Sequence, residues 1–332
     1  MNLHKILNDG LHSRFNLIQF NKHMIDKNTI LSFLEYYELT NATAKPISGG
    51  LSGCALMIDR KDKKYVLKIY NKDSNIETEA QFGHSLYRKK IPTAKIIKNS
   101  KDQIVTAIDN LRGVLFEFCT GEPIEWNDIS VAFSEHLAEI VAKMHLLILN
   151  DTEIPAKNYH KCEIEPVADL SNLKIIQKSK EIENSIKEVD YSGLRQALIH
   201  SDLTRQNVLA TKDRNDVDAI IDFGDAHRDY IAWDLAVLIT HIFITKTYGI
   251  DWGGLSVFIK KYYSMFPLTE QEINALIPFI KIRNLNLAIE VNRLALNKNE
   301  NIEELMSIEN SVMTKLDTID KNQNRLSEVL KG

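Results

Sequence analysis

Only three cysteines, Cys54, Cys119 and Cys162, occur in 332 residues, and they lie far apart with no C-x-x-C pair. That excludes a disulfide framework and a cysteine zinc site, and a reducing cytoplasmic setting is expected. An excess of positive charge is also missing. With a formal net charge of -4 and a pI near 6.2, the chain has no electrostatic footprint for nucleic acid. Long hydrophobic runs are absent as well: the most apolar stretch, residues 232–244, is interrupted by Asp234 and His241, and the N-terminus has no apolar signal core. Neither export nor a membrane span is expected. No internal repeat or low-complexity linker is visible. The 44% hydrophobic content suffices for a large core, and at this length two lobes are expected rather than one compact body.

What the chain does have is concentrated in residues 200–224. His200-Ser201-Asp202-Leu203-Thr204-Arg205-Gln206-Asn207 is followed by an apolar strand and then by Ile221-Asp222-Phe223-Gly224. Phosphoryl transfer asks for a carboxylate that orients and deprotonates an attacking hydroxyl, and for oxygen ligands that hold magnesium against the phosphates of ATP. Asp202 fits the first role as catalytic base, and Asn207 and Asp222 fit the second as metal ligands. Their spacing lets one loop present Asp202 and Asn207 to the same cleft, while residues 216–221 read as a hairpin return that delivers Asp222 beside them. As a mere helix cap and a turn residue, Asp202 and Asn207 would leave both His200 and the Asp-Phe-Gly unexplained. His200 is assigned a structural hydrogen bond. A zinc site on His200 and His227 lacks supporting ligands.

Upstream, residues 27–39 carry a helical apolar period after Asp26 or Asn28. Residues 46–53 form a glycine-rich turn, 54–58 and 65–70 two strands of a hairpin, and 75–90 a helix. Gly49, Gly50 and Ser52 are candidates for contact with phosphate oxygens, and Lys68 can point its ammonium into the same cleft. Glu77 or Glu79 would hold that lysine, with Glu79 favoured. A strand follows at 94–97, and the apolar strand and turn at 114–123 read as an inter-lobe hinge. There the backbone near Glu117 and Cys119 would meet an adenine edge. A long helix is expected at about 129–149, no chemistry within the polar residues 156–189, and helices from Tyr230 and at 251–265, 269–296 and 301–327.

The H-x-D-x-x-x-x-N loop, the Asp-Phe-Gly and the Asp-Leu-Ala that begins at Asp234 resemble the aminoglycoside phosphotransferase and choline kinase family. The resemblance covers most of the chain. It implies an α+β protein-kinase-like fold, with a small β-rich N-lobe (residues 1–118) that binds nucleotide and a larger, mostly helical C-lobe (residues 119–332) that holds the catalytic loop and acceptor. ATP as co-substrate, Mg2+ as cofactor and a small hydroxyl acceptor are implied, with the base at Asp202, metal ligands at Asn207 and Asp222, the phosphate lysine at Lys68 and its partner at Glu79. Asp234 would anchor the loop. Because Asp234 arrives only twelve residues after Asp222, no peptide-docking activation segment fits, and Ser201 stands where many protein kinases carry arginine. The Ile-Asp-Phe-Gly-Asp-Ala run and residues 276–283 are most similar to the hydroxylysine kinase and homoserine kinase branch. For a hydroxy amino acid or amino alcohol, Asp225 would take the ammonium and Arg228 the carboxylate. An aminoglycoside acceptor is the alternative, with Glu163, Glu165, Asp225, Asp229 and Glu290 as its acidic contacts. A pseudokinase scaffold is the alternative from another class, and the joint presence of Lys68, Asp202, Asn207 and Asp222 favours an enzyme over it.

Overall fold

The computed structural model describes residues 25–47, 54–72, 74–125, 129–149, 153–245, 249–297 and 302–332. Gly49, Gly50 and Ser52, assigned above to phosphate contact, lie outside them. Helix α1 (Lys27–Tyr36) opens at Asp26, whose Oδ1 accepts the N–H groups of Asn28 and Thr29 at 2.8 and 3.0 Å and so caps the first turn. It ends three residues earlier than the apolar period suggests, because Glu38 turns into the left-handed region at φ 56°. Next come β1 (Thr43–Pro46), β2 (Cys54–Arg60), β3 (Lys63–Asn71), α2 (Ile76–Arg88), β4 (Ile96–Ile97), β5 (Thr106–Ile108) and β6 (Leu111–Glu117). The strands form one antiparallel sheet in the order β1-β2-β3-β6-β4, with β5 also paired to β6.

Alternation along β3 decides what each face of this sheet does. Leu67 and Ile69 point to one side, where they join Leu56, Ile58 and Leu115 against Phe33 and Leu34 of α1. A Cβ on Gly113 would stand 2.5 Å from the Phe33 ring, so glycine is what lets α1 approach the sheet this closely. Val66, Lys68 and Tyr70 point to the opposite side, toward Val114, Phe116 and the Ile76–Ala80 face of α2. Lys68 is thereby aimed into the gap between this sheet and the rest of the chain.

The remainder is mostly helical. It comprises β7 (Glu122–Pro123), α3 (Val131–Leu149), α4 (Leu173–Ile186), β8 (Gln196–Ile199), β9 (Val208–Ala210), β10 (Val217–Ile220), β11 (His227–Tyr230), α5 (Ile231–Leu238), α6 (Trp252–Met265), α7 (Glu270–Asn297), α8 (Ile302–Lys321) and α9 (Gln323–Leu330). Strands β7, β9 and β10 form a small sheet, and β8 pairs with β11. Every residue of α5 is buried, Asp234 included. That all-round burial places α5 in the core, where it packs against α7.

Two expectations change here. The helix assigned from Tyr230 begins one residue later, because residues 227–230 pair with residues 196–199 as a strand. The helix assigned to 301–327 is two helices, divided at Asn322, whose φ of -108° and ψ of 10° leave the helical region. Within residues 156–189, helix forms only over α4, capped by the Asn172 side chain. Among the described residues, no helix is long and apolar enough to cross a membrane.

Candidate active site

Lys68 is the meeting point of the first half of the site. Its Nζ donates to Glu79 Oε1 at 2.7 Å and to Asp222 Oδ1 at 2.8 Å, while the Tyr70 hydroxyl donates to Glu79 Oε2 at 2.9 Å. Glu77 instead lies beside Arg112, 3.7 Å away. Burial works against the charge on Lys68, but the Asp222 and Glu79 carboxylates outweigh it and hold the ammonium well above its ordinary range. Asp222 itself sits at φ 67° and ψ 70°, a left-handed conformation that Asp tolerates better than most residues. The turn after it sends Phe223 edge-on against Phe82 of α2, with ring centroids 5.1 Å apart, so the Asp-Phe-Gly turn and α2 are packed together.

Beside this ion pair a mainly apolar cleft is walled by Val66, Phe116, Leu209 and Ile221 and rimmed by residues 117–119. The N–H groups of Glu117 and Phe118 go to Lys95 O and Lys64 O. Cys119 is partly buried at the rim, and burial, with help from Asp218 and Glu117, pushes its thiol up to about 11.

The second half of the site is the loop between β8 and β9. Asp234 Oδ2 accepts the N–H of His200 at 3.0 Å and its Oδ1 accepts that of Ser201 at 2.6 Å. His145 Nε2 lies 3.3 Å from Oδ2 and His145 Nδ1 lies 2.7 Å from the Tyr262 hydroxyl. Burial alone would raise the Asp234 carboxyl, but His145 and the His200 amide hold it below the ordinary carboxylate range. One buried carboxylate thus fixes the loop to α3, α5 and α6, with Ser201 turned to φ 66°. His200 Nδ1 accepts the Asp202 N–H at 3.2 Å and its Nε2 meets Ile221 O at 3.0 Å, a structural position between the loop and Asp222.

Asn207 Nδ2 donates to Asp202 Oδ2 at 2.8 Å and to Asp202 O at 2.9 Å. The register of β9 with β10 pairs Val208 with Ile220, and the Ile221 N–H donates to Asn207 O at 2.9 Å. Asp202, Asn207 and Asp222 are therefore brought to one end of a hairpin. Burial pushes the Asp202 carboxyl up to about 6; the nearby Asp225 charge adds to this, while Arg283, His200 and Lys161 oppose it.

Beyond Asp202 lies a cluster of both signs. Arg283 of α7 is 1% exposed and its Nη2 lies 3.4 Å from Asp202 Oδ1. Lys161 Nζ is 3.7 Å from Asp225 Oδ2. Burial pushes Glu290 up to about 8, opposed by Arg283 and Lys161 and assisted by Glu165 and Asp225. Arg228 does not face this cluster: its Nη2 donates to Ile154 O at 3.1 Å and its N–H to Lys157 O at 2.9 Å. Asp229 is fully buried beneath the connection of residues 153–172, accepting from His160 Nδ1 at 2.7 Å and from the Lys161 N–H at 2.9 Å. His160, Cys162 and Asp229 are grouped closely enough to share an ion, yet the Asp229 oxygens are already taken by these bonds, by the Tyr230 N–H and by His227. Glu163 and Glu165 are bracketed through their backbones by Asn286 of α7.

Sequence reasoning passed over Lys161 and gave Arg283 no role. A signal for Arg283 existed. Leu276, Phe279, Ile280, Arg283 and Leu287 recur at helical spacing and are all buried, so the arginine falls on the apolar stripe of its helix.

Glu290 provides a test of the cluster's electrostatics. Its ordinary value is 4.5 and its folded value about 8, so between these values the folded chain binds more protons than the unfolded one. Stability then falls as pH rises through that window. Glu290→Gln removes the term, and its melting temperature should gain on that of the wild type from pH 5 to pH 8, with about the whole gain complete above pH 8. Parallel melting curves for the two proteins across that range would contradict the buried placement.

Residues 43–253 match the phosphotransferase enzyme family. A homoserine kinase of Methylobacillus glycogenes is 23% identical over 235 residues, spanning 68% of this chain and 72% of that protein. A hydroxylysine kinase of Mus musculus is 24% identical over 249 residues, spanning 64% of this chain and 65% of that one. Among solved structures, a microcompartment-associated aminopropanol kinase superposes with a TM-score of 0.68 at 16% identity, over 91% of this chain and 99% of its own. An amicoumacin kinase in complex with AMP-PNP and Ca2+ superposes at 0.67 with 16% identity, over 86% and 93%. The fold is kinase-like, with a β-sheet N-terminal region and a helical C-terminal part.

Proposed function

The chain belongs to the phosphotransferase enzyme family and is a small-molecule kinase, and from that premise we propose that it transfers the γ-phosphoryl group of ATP to the hydroxyl of a hydroxy amino acid or amino alcohol. The observation that carries this reading is the pairing of two half-sites across one hairpin. The Lys68–Asp222 ion pair, 2.8 Å across, stands at the apolar cleft, and the Asp202–Asn207 bond, also 2.8 Å, stands on the side of the charged cluster. ATP would lie with its adenine between Val66 and Leu209, its edge toward the backbone of residues 117–119 and its phosphates at Lys68.

The acceptor hydroxyl would approach the γ-phosphorus from the Asp202 side. As its oxygen forms the new bond to phosphorus, the bond from phosphorus to the β-bridging oxygen breaks, ADP departs and Asp202 takes the hydroxyl proton. The donor set suits a hard divalent cation, which binds oxygen. With Asn207 Nδ2 spent on Asp202 and Asp222 Oδ1 on Lys68, Asn207 Oδ1 and Asp222 Oδ2 are the atoms to hold it. Magnesium bound there would supply charge neutralisation to the phosphates. In the same proposal the division near residue 118 separates a nucleotide-binding lobe from an acceptor-binding lobe.

A small acceptor is favoured because only the turn Phe223–Asp225 and β11 separate Asp222 from α5, which leaves no long segment to dock a peptide. The relatives named as homoserine and hydroxylysine kinases, and the aminopropanol kinase of similar fold, bear names of amine-carrying alcohols. ADP release should be measured with magnesium and ATP against hydroxy amino acids, amino alcohols, an aminoglycoside and a generic protein. Turnover with an amine-bearing small alcohol and none above background with the protein is expected; labelling of the protein alone would overturn the acceptor class.

A further inference from the structure

Arg283 is a fully charged side chain with 1% exposure, and its Nε and Nη1 have no hydrogen-bond partner among the described residues. Native structures leave few buried polar groups unpaired, and an orphaned guanidinium is among the costliest. Its one contact with Asp202 runs at 3.4 Å, well beyond the ~2.7–2.9 Å of a strong charge-assisted bond. A residue present only to position Asp202 would turn more of its five donors to that carboxylate at shorter range. Opposing charges stand close by. Asp225 Oδ2 is likewise buried without a hydrogen bond and, among the described residues, pairs with Lys161 at 3.7 Å; Asp225 acts electrostatically on both Asp202 and Arg283, and Glu290 acts on Arg283 ahead of it.

We propose that Arg283 binds a carboxylate on the acceptor, so that the substrates of this enzyme are zwitterionic hydroxy amino acids rather than amino alcohols. The inference rests on the kinase reading above and deepens it. The acceptor's hydroxyl lies at Asp202, its carboxylate receives a hydrogen from one of the two unpaired nitrogens of Arg283, Nε or Nη1, and its ammonium faces Asp225. Arg228, beside Asp225 in the chain, is tied to the backbone of Ile154. Arg283, far away in sequence, is a buried cation that adjoins the reacting group. Planar guanidinium and planar carboxylate meet through two parallel hydrogen bonds, and Nη2, which has a second hydrogen beside the one near Asp202, completes such a fork with either Nε or Nη1.

L-Homoserine and 3-aminopropan-1-ol test the proposal, since they share chain, amine and hydroxyl and differ only in the carboxylate. For the wild type, kcat/KM is expected to favour L-homoserine by about 10- to 100-fold, the worth of a hydrogen-bonded charged group. Arg283→Gln should shrink that preference toward unity, chiefly by raising KM for L-homoserine, and Arg283→Lys should fall between. Wild-type kcat/KM values that are equal for the two alcohols would overturn the proposal. So would an Arg283→Gln variant that lowers kcat equally for both, which is the behaviour of a residue that only orients Asp202. As a measurement that needs no variant, L-2-aminobutyrate and propylamine can be compared as competitive inhibitors of the wild-type turnover of 3-aminopropan-1-ol. Inhibition at least about tenfold stronger by the amino acid supports the carboxylate site, and equal inhibition removes it. If the wild type phosphorylates neither alcohol yet turns over ATP with another member of the panel, the carboxylate proposal fails and the kinase reading stands; no turnover with any acceptor overturns both.

Discussion

Asp202→Asn is expected to lose turnover by about 10² to 10⁴-fold, the usual worth of a positioned general base, while melting no lower than the wild type. The two halves of this result have one cause. Burial pushes the Asp202 carboxyl up to about 6, so the folded protein holds this group as a carboxylate against the preference of its surroundings. A folded value above the unfolded one means that stability is lost as pH rises through that window, and at neutral pH the ionised side chain works against the fold. The amide is uncharged and nearly the same shape, and it keeps an oxygen for the Asn207 N–H. What it cannot do is take a proton from the acceptor. Turnover of the purified variant, read together with thermal melts at pH 7, checks both halves. Near-normal turnover would remove Asp202 from the reaction, and a collapsed melting temperature would show that its charge is structural.

Asp222 gives the second large effect, and its backbone dictates the substitution. At φ 67° an alanine would add strain of its own, whereas Asn tolerates the left-handed region about as well as Asp. Asp222→Asn therefore removes one charge and little else. It takes from Lys68 one of its two carboxylate partners and from the metal its only charged protein ligand among the proposed pair. ATP affinity in the presence of magnesium should weaken by about 10- to 100-fold, since a hydrogen bond to a charged group is worth roughly 1.5–3 kcal/mol. In EDTA the two proteins should differ much less. Calorimetric titration of ATP with and without magnesium measures the difference, and an unchanged magnesium effect would separate Asp222 from the metal.

Legibility in the sequence followed distance along the chain. The loop from His200 to Asn207 and the hairpin return to Asp222 are local, and their spacing carries their geometry. Strand alternation likewise aims Lys68, while the buried face of α2 brings Glu79 rather than Glu77 to that ammonium at 2.7 Å. The same alternation works against Arg228. As a neighbour of Asp229 on β11 it faces the other way, toward residues 153–157, and nearness in sequence to Asp225 does not place it in the cluster. Residues 227–230 hid their strand because His227-Arg228-Asp229-Tyr230 carries no apolar signal before its last residue, and only pairing with β8 makes it a strand. Lys161 and Arg283 come from segments distant from the motif, and only packing brings them to Asp225 and Asp202. The break at Asn322 carries neither glycine nor proline to announce it.

The loop that carries Asp202 contains no helix and little strand, and such segments ordinarily fluctuate on fast timescales at small energetic cost. Here the His200 and Ser201 amides end on Asp234, which is 0% exposed and set in a helix whose every residue is buried. Freeing either amide leaves that buried carboxylate short of a partner, which is costly. The amide protons of His200 and Ser201 are consequently expected to exchange as slowly as those of α5, and fast exchange there would separate the loop from the core. Asp202, the proposed base, would then be displaced together with the core rather than by local breathing of its loop.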